Sequence, residues 1–200
     1  MEPIKLFNRW DMDGLKVNDP GLSRYINIKP IVIPRTAGRL THASIDRPKI
    51  PVVERFINHL MVPGHRGKKH KYSSGNGPAS ARAIMAAVYE AFALIEERTK
   101  KNPIEVMVRA LENSALLEEI AAYRMGGVMA RQAVVISPQR RLDLALRNIT
   151  QGIYQSNFAK KHTLAEAIAN ELIAGAANDG QKSIGVRERQ RVEKEAEGSR

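Results

Sequence analysis

The chain is organised around residues 120–147, IAAYRMGGVMARQAVVISPQRRLDLALR. Apolar and β-branched residues stand on both sides of Gly126-Gly127, which predicts strands over 123–125 and 128–136 joined by a two-residue turn. Ser137-Pro138 predicts the start of a helix, because serine suits the N-cap and proline suits the first helical position, whose N–H needs no helical partner. The sequence therefore predicts a β-hairpin that leads directly into a helix.

Two arginines stand in the first turn of that helix. Arg140 and Arg141 lie where the helix dipole disfavours positive charge. An external anion would resolve this conflict, since a phosphate there would meet free N–H groups, the dipole and two guanidinium groups together. Arg124 and Arg131 extend the positive charge along the hairpin. We interpret the region as a nucleic-acid-binding arm and platform; the alternative is a solvated basic face without a partner.

The composition indicates one basic domain. The chain has 200 residues, 43% of them hydrophobic, which suffices for one packed domain and an additional tail. Its 32 Lys and Arg against 21 Asp and Glu give a net charge of +11, which favours a polyanionic partner. No apolar run is long enough to cross a membrane, and residues 1–16 lack the apolar core of a signal peptide, so we expect a cytoplasmic protein.

Helical periodicity suggests three parts. Residues 1–50 have scattered apolar residues without a period and are expected to form an extended N-terminal arm that packs on another surface. Residues 51–180 are expected to form a helical domain containing the hairpin, and residues 181–200 a charged tail, helical and ordered against a partner. We expect a mainly α fold with five or six helices, one hairpin and no other sheet. Glu118 and Glu119 are expected to complete the face of a helix.

Two further basic groups accompany the hairpin region. No acidic residue occurs between positions 55 and 89, and positively charged side chains crowd one loop there, with a flexible solvated loop as the plain alternative. Its spacing does not match a phosphate-binding loop. Lys160-Lys161 forms a basic corner before the capping pair of Thr163 and Glu166. The loop contains His65, Arg66, Lys68, Lys69, His70 and Lys71.

No catalytic, metal or cofactor site is expected. The chain has no cysteine, which excludes disulfides, thiolate zinc sites and thiol catalysis, and its five histidines show no metal-binding spacing. None of the familiar nucleophile, dinucleotide or metalloprotease motifs occurs. Aromatic residues make up only 5% of the chain, so we expect recognition of the backbone and shape of folded RNA rather than base stacking.

Several motifs in order resemble a known family. From about residue 51 to the C-terminus the chain resembles small-subunit ribosomal protein seven. The motifs at 4–7 and 37–39 resemble the N-terminal extension of its archaeal and eukaryotic branch, and the alanine-rich sequence favours an archaeal source. The motifs are IKLF at 4–7, AGR at 37–39, NPIEV at 102–106, RALEN at 109–113, RQAV at 131–134, SPQRR at 137–141 and AEAIANEL at 165–172.

The resemblance implies a structural protein without catalysis. Members have a helical domain with a protruding ribbon, bind the three-prime major domain of small-subunit rRNA, nucleate assembly of the subunit head, and contact neighbouring ribosomal proteins. The hairpin would lie near exit-site tRNA and the mRNA exit path. The residues implied there are Arg124, Met125, Gly126, Gly127 and Arg131, and those expected on the rRNA side are Arg66, Lys68, Lys69, Lys71, Arg140, Arg141, Lys160 and Lys161.

Three other functions remain open from the residues alone. One is a basic enzyme that acts on RNA, although no residue stands out as its general acid or base. An architectural DNA-binding protein would insert a basic ribbon into the minor groove, commonly with an apolar wedge such as proline near the tip. Here the tip is Gly126-Gly127 between Met125 and Val128. A non-catalytic helical adaptor would use its charge for solubility, but the absence of acids over residues 55–89 counts against it.

Overall fold

The structure, a computed structural model, describes residues 4–63, 80–158 and 160–199, with only the backbone for Ser44 and Met125. A mainly α fold with a long hairpin is found, as predicted. In chain order the elements are β1 (Lys5–Leu6), β2 (Trp10–Asp11), a 3-10 helix (Ser44–Lys49), α1 (Val52–Met61), α2 (Ala81–Thr99), α3 (Pro103–Ser114), β3 (Glu118–Met125), β4 (Val128–Val135), α4 (Pro138–Asn157), α5 (Leu164–Ala176) and α6 (Ile184–Glu197).

The core is built around α5, which packs against α2, α3 and α4. Alanines at 165, 167 and 169 are buried, and such small side chains let the neighbouring helices approach closely. Ile168 and Leu172 project from α5 and are fully buried. The Thr163 side chain accepts from the Glu166 N–H while the Glu166 side chain accepts from Thr163, so the predicted capping pair starts this helix.

The N-terminal residues pack onto the helices. Trp10 is buried, with its ring centroid 5.6 Å from that of Phe92 and 5.2 Å from that of Tyr89 on α2. Its indole N–H donates to Glu96 over 3.2 Å. Leu22 is also fully buried in the common core. Residues 4–26 thus bury apolar surface against the helical domain, which is the main favourable contribution to folding.

Strands β3 and β4 form an antiparallel hairpin with Glu118 opposite Val135 and Met125 opposite Val128. Gly126 and Gly127 form the turn with φ of 55° and 88°, a left-handed conformation that glycine adopts without steric cost. The base of the hairpin is fixed to α6, since the Leu117 N–H donates to the Glu193 carboxylate over 3.0 Å.

Two expectations about this architecture were wrong. A second sheet exists, because β1 and β2 pair through a turn at Phe7 and Asn8, which both have positive φ. Strands of two residues are too short to show the alternation that a sequence pattern requires. Glu118 and Glu119 do not complete a helix, because α3 ends at Ser114 and both residues belong to β3.

The charged C-terminal residues form α6, whose first turn is held by a buried carboxylate. Glu171 on α5 accepts from the Ser183 hydroxyl over 2.8 Å and from the Gly185 N–H over 2.9 Å. A Cβ at Gly185 would lie 2.8 Å from the Ile149 side chain, so only glycine allows this approach of α6 to α4. In the described part of the chain, no helix is long and apolar enough to span a membrane.

We predict that Glu171→Ala lowers the free energy of unfolding by about 1–3 kcal/mol, because two buried donors lose their acceptor. Glu171→Gln, the control, keeps an amide oxygen for both donors and is expected to be less destabilising. Urea denaturation followed by circular dichroism measures both. Equal destabilisation by Ala and Gln would show that the acceptor oxygen does not hold α6.

A pH titration tests the same carboxyl group. Burial raises the pKa of Glu171, so the folded state holds this proton to a higher pH than the unfolded state. The contribution of Glu171 to stability is therefore complete below the unfolded pKa and is lost as the pH rises through the folded pKa. We expect the stability of the wild type to fall relative to that of Glu171→Gln over this interval; a constant difference would contradict the assignment.

Candidate nucleic-acid interface

A basic groove lies at the N-terminal half of α4, between that helix, α1 and the 3-10 helix. It encloses about 700 Å³. Four arginines line it against a single carboxylate, that of Asp143, and the Ser137 N-cap and first turn of α4 form one end. The lining residues are Arg47, Ile50, Arg55, Asn58, His59, Ser137, Gln139, Arg140, Asp143, Leu144 and Arg147.

Asp143 organises the floor of this groove. Its carboxylate accepts from Arg55 Nη2 over 2.6 Å and from Arg47 Nη1 over 3.2 Å. Arg55 is only 5% exposed, and burial lowers its pKa while Asp143 opposes that shift. Arg47 has an exposed side chain. One aspartate therefore holds two guanidinium groups, so the groove keeps an excess of positive charge.

The positive charge of the groove acts on the pKa of His59. Burial is the largest cause that lowers the pKa of His59. The positive charges of Arg55, Arg47 and Arg147 lower this pKa further, and Asp143 raises it. An anion entering the groove would offset these positive charges, raise the pKa of His59 and favour its protonated form.

Arg140 is placed at the rim. It donates to both carboxylate oxygens of Glu119 on β3, over 2.7 and 2.8 Å, and this pairing raises its pKa. Its side chain is 55% exposed. An ion pair at such exposure contributes only about 0–1 kcal/mol, so Arg140 can exchange Glu119 for a phosphate at little cost.

Arg141 points into the fold. Its Nη2 donates to Asp19 over 2.6 Å and its Nε donates to the Leu116 carbonyl over 2.9 Å. The residue is 8% exposed. The sequence suggested that an external anion would resolve the conflict with the helix dipole. In the structure Glu119 and Asp19 already supply negative charges to the two guanidinium groups.

The other described residues that the sequence predicted to contact RNA lie outside the groove. Arg124 and Arg131 are exposed on the hairpin, beyond the groove lining. Lys160 and Lys161 are exposed between α4 and α5, and Lys160 lines a separate cavity with Arg98 and His162. Met125, Gly126 and Gly127 lie at the hairpin tip. The predicted residues Arg66, Lys68, Lys69 and Lys71 lie outside the described residues.

Sequence reasoning missed Arg47, Arg55, His59 and Arg147 as members of the groove. A signal for three of them existed. Arg55 and His59 are four residues apart on α1, and Arg147 lies seven residues after Arg140 on α4, spacings that place side chains on one helix face. Nothing local marks Arg47, which reaches Asp143 across 96 positions of sequence.

The charge of the molecule is segregated. A groove of about 750 Å³ on α2 and α5 is lined by four glutamates, Glu90, Glu96, Glu97 and Glu166, against Arg9 and Lys100. This surface repels a polyanion, whereas the α4 groove attracts one. Among the described side chains, no group of three or more His, Asp or Glu is arranged to hold a metal ion.

A helical domain with an arginine-lined groove and a ribbon that carries exposed arginines has the features of proteins that contact nucleic-acid backbones. A family model described as ribosomal protein S7p/S5e matches residues 22–200. The chain is 41% identical to the small ribosomal subunit protein uS7 of Nanoarchaeum equitans, over 98% of this chain and 99% of that protein. It is also 41% identical to uS7 of Methanococcus maripaludis strain C6, with the same coverage.

The chain therefore belongs to the ribosomal protein S7p/S5e family, as its motifs predicted. The family consists of structural proteins of the small ribosomal subunit, which confirms the predictions of a non-enzymatic ribosomal protein. The relatives named above are archaeal, in agreement with the predicted branch.

The two neighbouring arginines give a matched pair of variants. We expect Arg141→Ala to lower the free energy of unfolding by about 2–4 kcal/mol, because Asp19 and the Leu116 carbonyl lose a largely buried charged partner. Arg140→Ala, the control, should cost no more than about 1 kcal/mol. Chemical denaturation measures both values. A larger loss for Arg140→Ala would reverse the structural roles assigned to the two residues.

Proposed function

We propose that this protein is a primary rRNA-binding component of the small subunit that contacts the three-prime major domain and nucleates assembly of the head. The observation that carries this proposal is the arginine groove at the start of α4, on a chain of the S7p/S5e family. Arg47, Arg140 and Arg147 are exposed there and available to phosphate oxygens, while Arg55 and Asp143 fix the floor.

Arg141 supports the proposed rRNA interface by positioning neighbouring segments, not by contacting phosphate. Its contacts to Asp19 and Leu116 fix the N-terminal segment and the base of the hairpin beside the groove. We therefore assign phosphate contact to Arg140 and a positioning role to Arg141. Lys160 and Lys161 supply a second contact on the proposed rRNA side. We assign a third contact to Arg66, Lys68, Lys69 and Lys71, because the sequence has no acidic residue over 55–89.

We assign the hairpin to exit-site tRNA and the mRNA exit path. Its tip carries exposed Arg124, while Val128 and Met129 are 70% and 62% exposed and touch no core. An isolated two-stranded ribbon has little stability of its own, and this one is fixed at its base. Arg124, Gly126, Gly127 and Arg131 can therefore reach a backbone that lies away from the groove.

Salt dependence tests the groove. Each phosphate contact contributes about 0.7–0.9 to the slope of log K against log salt concentration. We expect Arg140→Ala and Arg147→Ala each to shallow that slope by about this amount for a transcript of the three-prime major domain. Lys16→Ala, a matched removal of one exposed charge outside the groove, should leave the slope within error. Filter binding at four salt concentrations measures it.

Equal slopes for wild type, Arg140→Ala and Arg147→Ala would place the rRNA away from this groove. Duplex DNA of equal length serves as competitor. Equal affinity for the DNA and the transcript would favour an architectural DNA-binding protein, the other function that a basic ribbon allows.

Shortening the hairpin tests whether the groove binds rRNA while the hairpin contacts exit-site tRNA. Replacing residues 124–131 by a two-residue turn is expected to keep transcript affinity within about tenfold, or 1.4 kcal/mol, because the platform contacts remain. Reconstituted subunits carrying this variant should retain exit-site tRNA poorly. Loss of transcript binding by several orders of magnitude, with normal tRNA retention, would make the hairpin the rRNA anchor.

A further inference from the structure

A second cavity, here called the N-terminal cavity, lies between the segment 23–31 and the end of the 3-10 helix. It encloses about 860 Å³, within the range of pockets that hold small organic groups. Its walls are mostly aliphatic. The lining residues are Ser23, Arg24, Ile26, Asn27, Ile28, Lys29, Pro30, Ile31, Thr36, Leu40, Pro48, Lys49 and Pro51.

Hydrogen bonds hold the walls in place. The Asn27 amide donates to the Lys49 carbonyl over 2.6 Å, and its oxygen accepts from the Lys29 N–H over 3.0 Å. The Val52 N–H donates to the Asn27 carbonyl over 2.9 Å. Thr36 is fixed from behind, because its N–H and hydroxyl both donate to Glu54 over 2.8 Å. The cavity is thus a preformed feature of the fold.

The charged residues that line the cavity all have one sign. Arg24, Lys29 and Lys49 are exposed in the lining, and none of the described lining residues is Asp or Glu. Lys49 pairs with Asp46, which is outside the lining. Four other cavities of the described chain each contain at least one carboxylate. The N-terminal cavity is therefore mostly aliphatic inside and cationic at its rim. It can accommodate a flat, uncharged group that has an anionic group on either side.

We propose that the N-terminal cavity binds one unpaired nucleotide of the rRNA, and this inference rests on the proposed function. The base would lie against the aliphatic walls formed by residues such as Ile28, Pro30 and Leu40. The flanking phosphates would contact Arg24, Lys29 and Lys49. Unstacked bases with accessible phosphates occur in the loops and bulges of folded RNA, and such single-stranded sites are the ones that proteins recognise by sequence. The Arg24 guanidinium plane could also stack on the base.

The position of the cavity supports the same partner. The 3-10 helix Ser44–Lys49 separates it from the α4 groove, since Arg47 lines the groove and Pro48 and Lys49 line the cavity. Ile50 lines the groove and Pro51 the cavity. One RNA strand can therefore follow a continuous surface from the α4 groove over the 3-10 helix to the N-terminal cavity.

The first test compares two double variants of equal charge change. Arg24→Ala with Lys29→Ala removes two rim charges, and Lys16→Ala with Lys194→Ala removes two exposed charges outside both cavities. For the three-prime major domain transcript we expect the first pair to lose about tenfold in affinity and the control pair to stay within about twofold. Thermal unfolding confirms that both variants fold.

The second test locates the nucleotide. The photoreactive residue p-benzoylphenylalanine replaces Leu40 at the cavity or, as control, Tyr89 on the acidic groove. After irradiation with the transcript, position 40 should crosslink to a single unpaired nucleotide and position 89 to none.

Equal affinity of the two double variants, or crosslinks from position 40 spread over paired nucleotides, would overturn the inference while leaving the proposed function in place. A wild-type protein that does not bind the transcript at all would instead refute the proposed function, and this inference with it.

Discussion

The structure depends on the buried guanidinium group of Arg141. It joins three parts of the chain, because it sits on α4, donates to Asp19 in the N-terminal segment, and donates to the Leu116 carbonyl just before the hairpin. A buried charge without partners is costly, so the fold is stable only when all three parts are in place. This side chain contributes to the position of the hairpin base and of the N-terminal segment, together with the Leu117–Glu193 hydrogen bond and the packing of Trp10.

The neighbouring Arg140 is exposed at the surface, whereas Arg141 is buried. Consecutive helical residues point about 100° apart, so two adjacent arginines cannot share one environment. Arg141 enters the fold, while Arg140 remains at the surface in an exposed pair with Glu119. An exposed pair of this kind contributes little to stability, so it leaves the Arg140 guanidinium group available for the phosphate contact proposed above. The first turn of α4 therefore carries one buried arginine that stabilises the fold and one exposed arginine at the rim of the groove.

Local patterns predicted much of this architecture. Gly126-Gly127 located the turn, Ser137-Pro138 the start of α4, and Thr163 with Glu166 the start of α5. These features depend on neighbours within a few residues, so sequence spacing reveals them. The family motifs predicted the rest of the fold class.

Partners that are distant in sequence were not predictable. Arg141 meets Asp19 across 122 positions, and Arg55 meets Asp143 across 88. Such pairs exist only after the helices pack, and charge counting treats each arginine as equally free. For the same reason the groove residues Arg47 and Arg147 were missed.

The central claim is that rRNA lies on the arginine side of the molecule and not on the glutamate side. Ultraviolet crosslinking of the wild-type protein to the three-prime major domain transcript, followed by mass spectrometry of the crosslinked peptides, tests it most directly. We expect the transcript to crosslink to peptides that contain Arg47, Arg140 or Arg147, and not to the α2 peptide that contains Glu90 and Glu97. Crosslinks concentrated on α2, with the α4 peptides free, would contradict it.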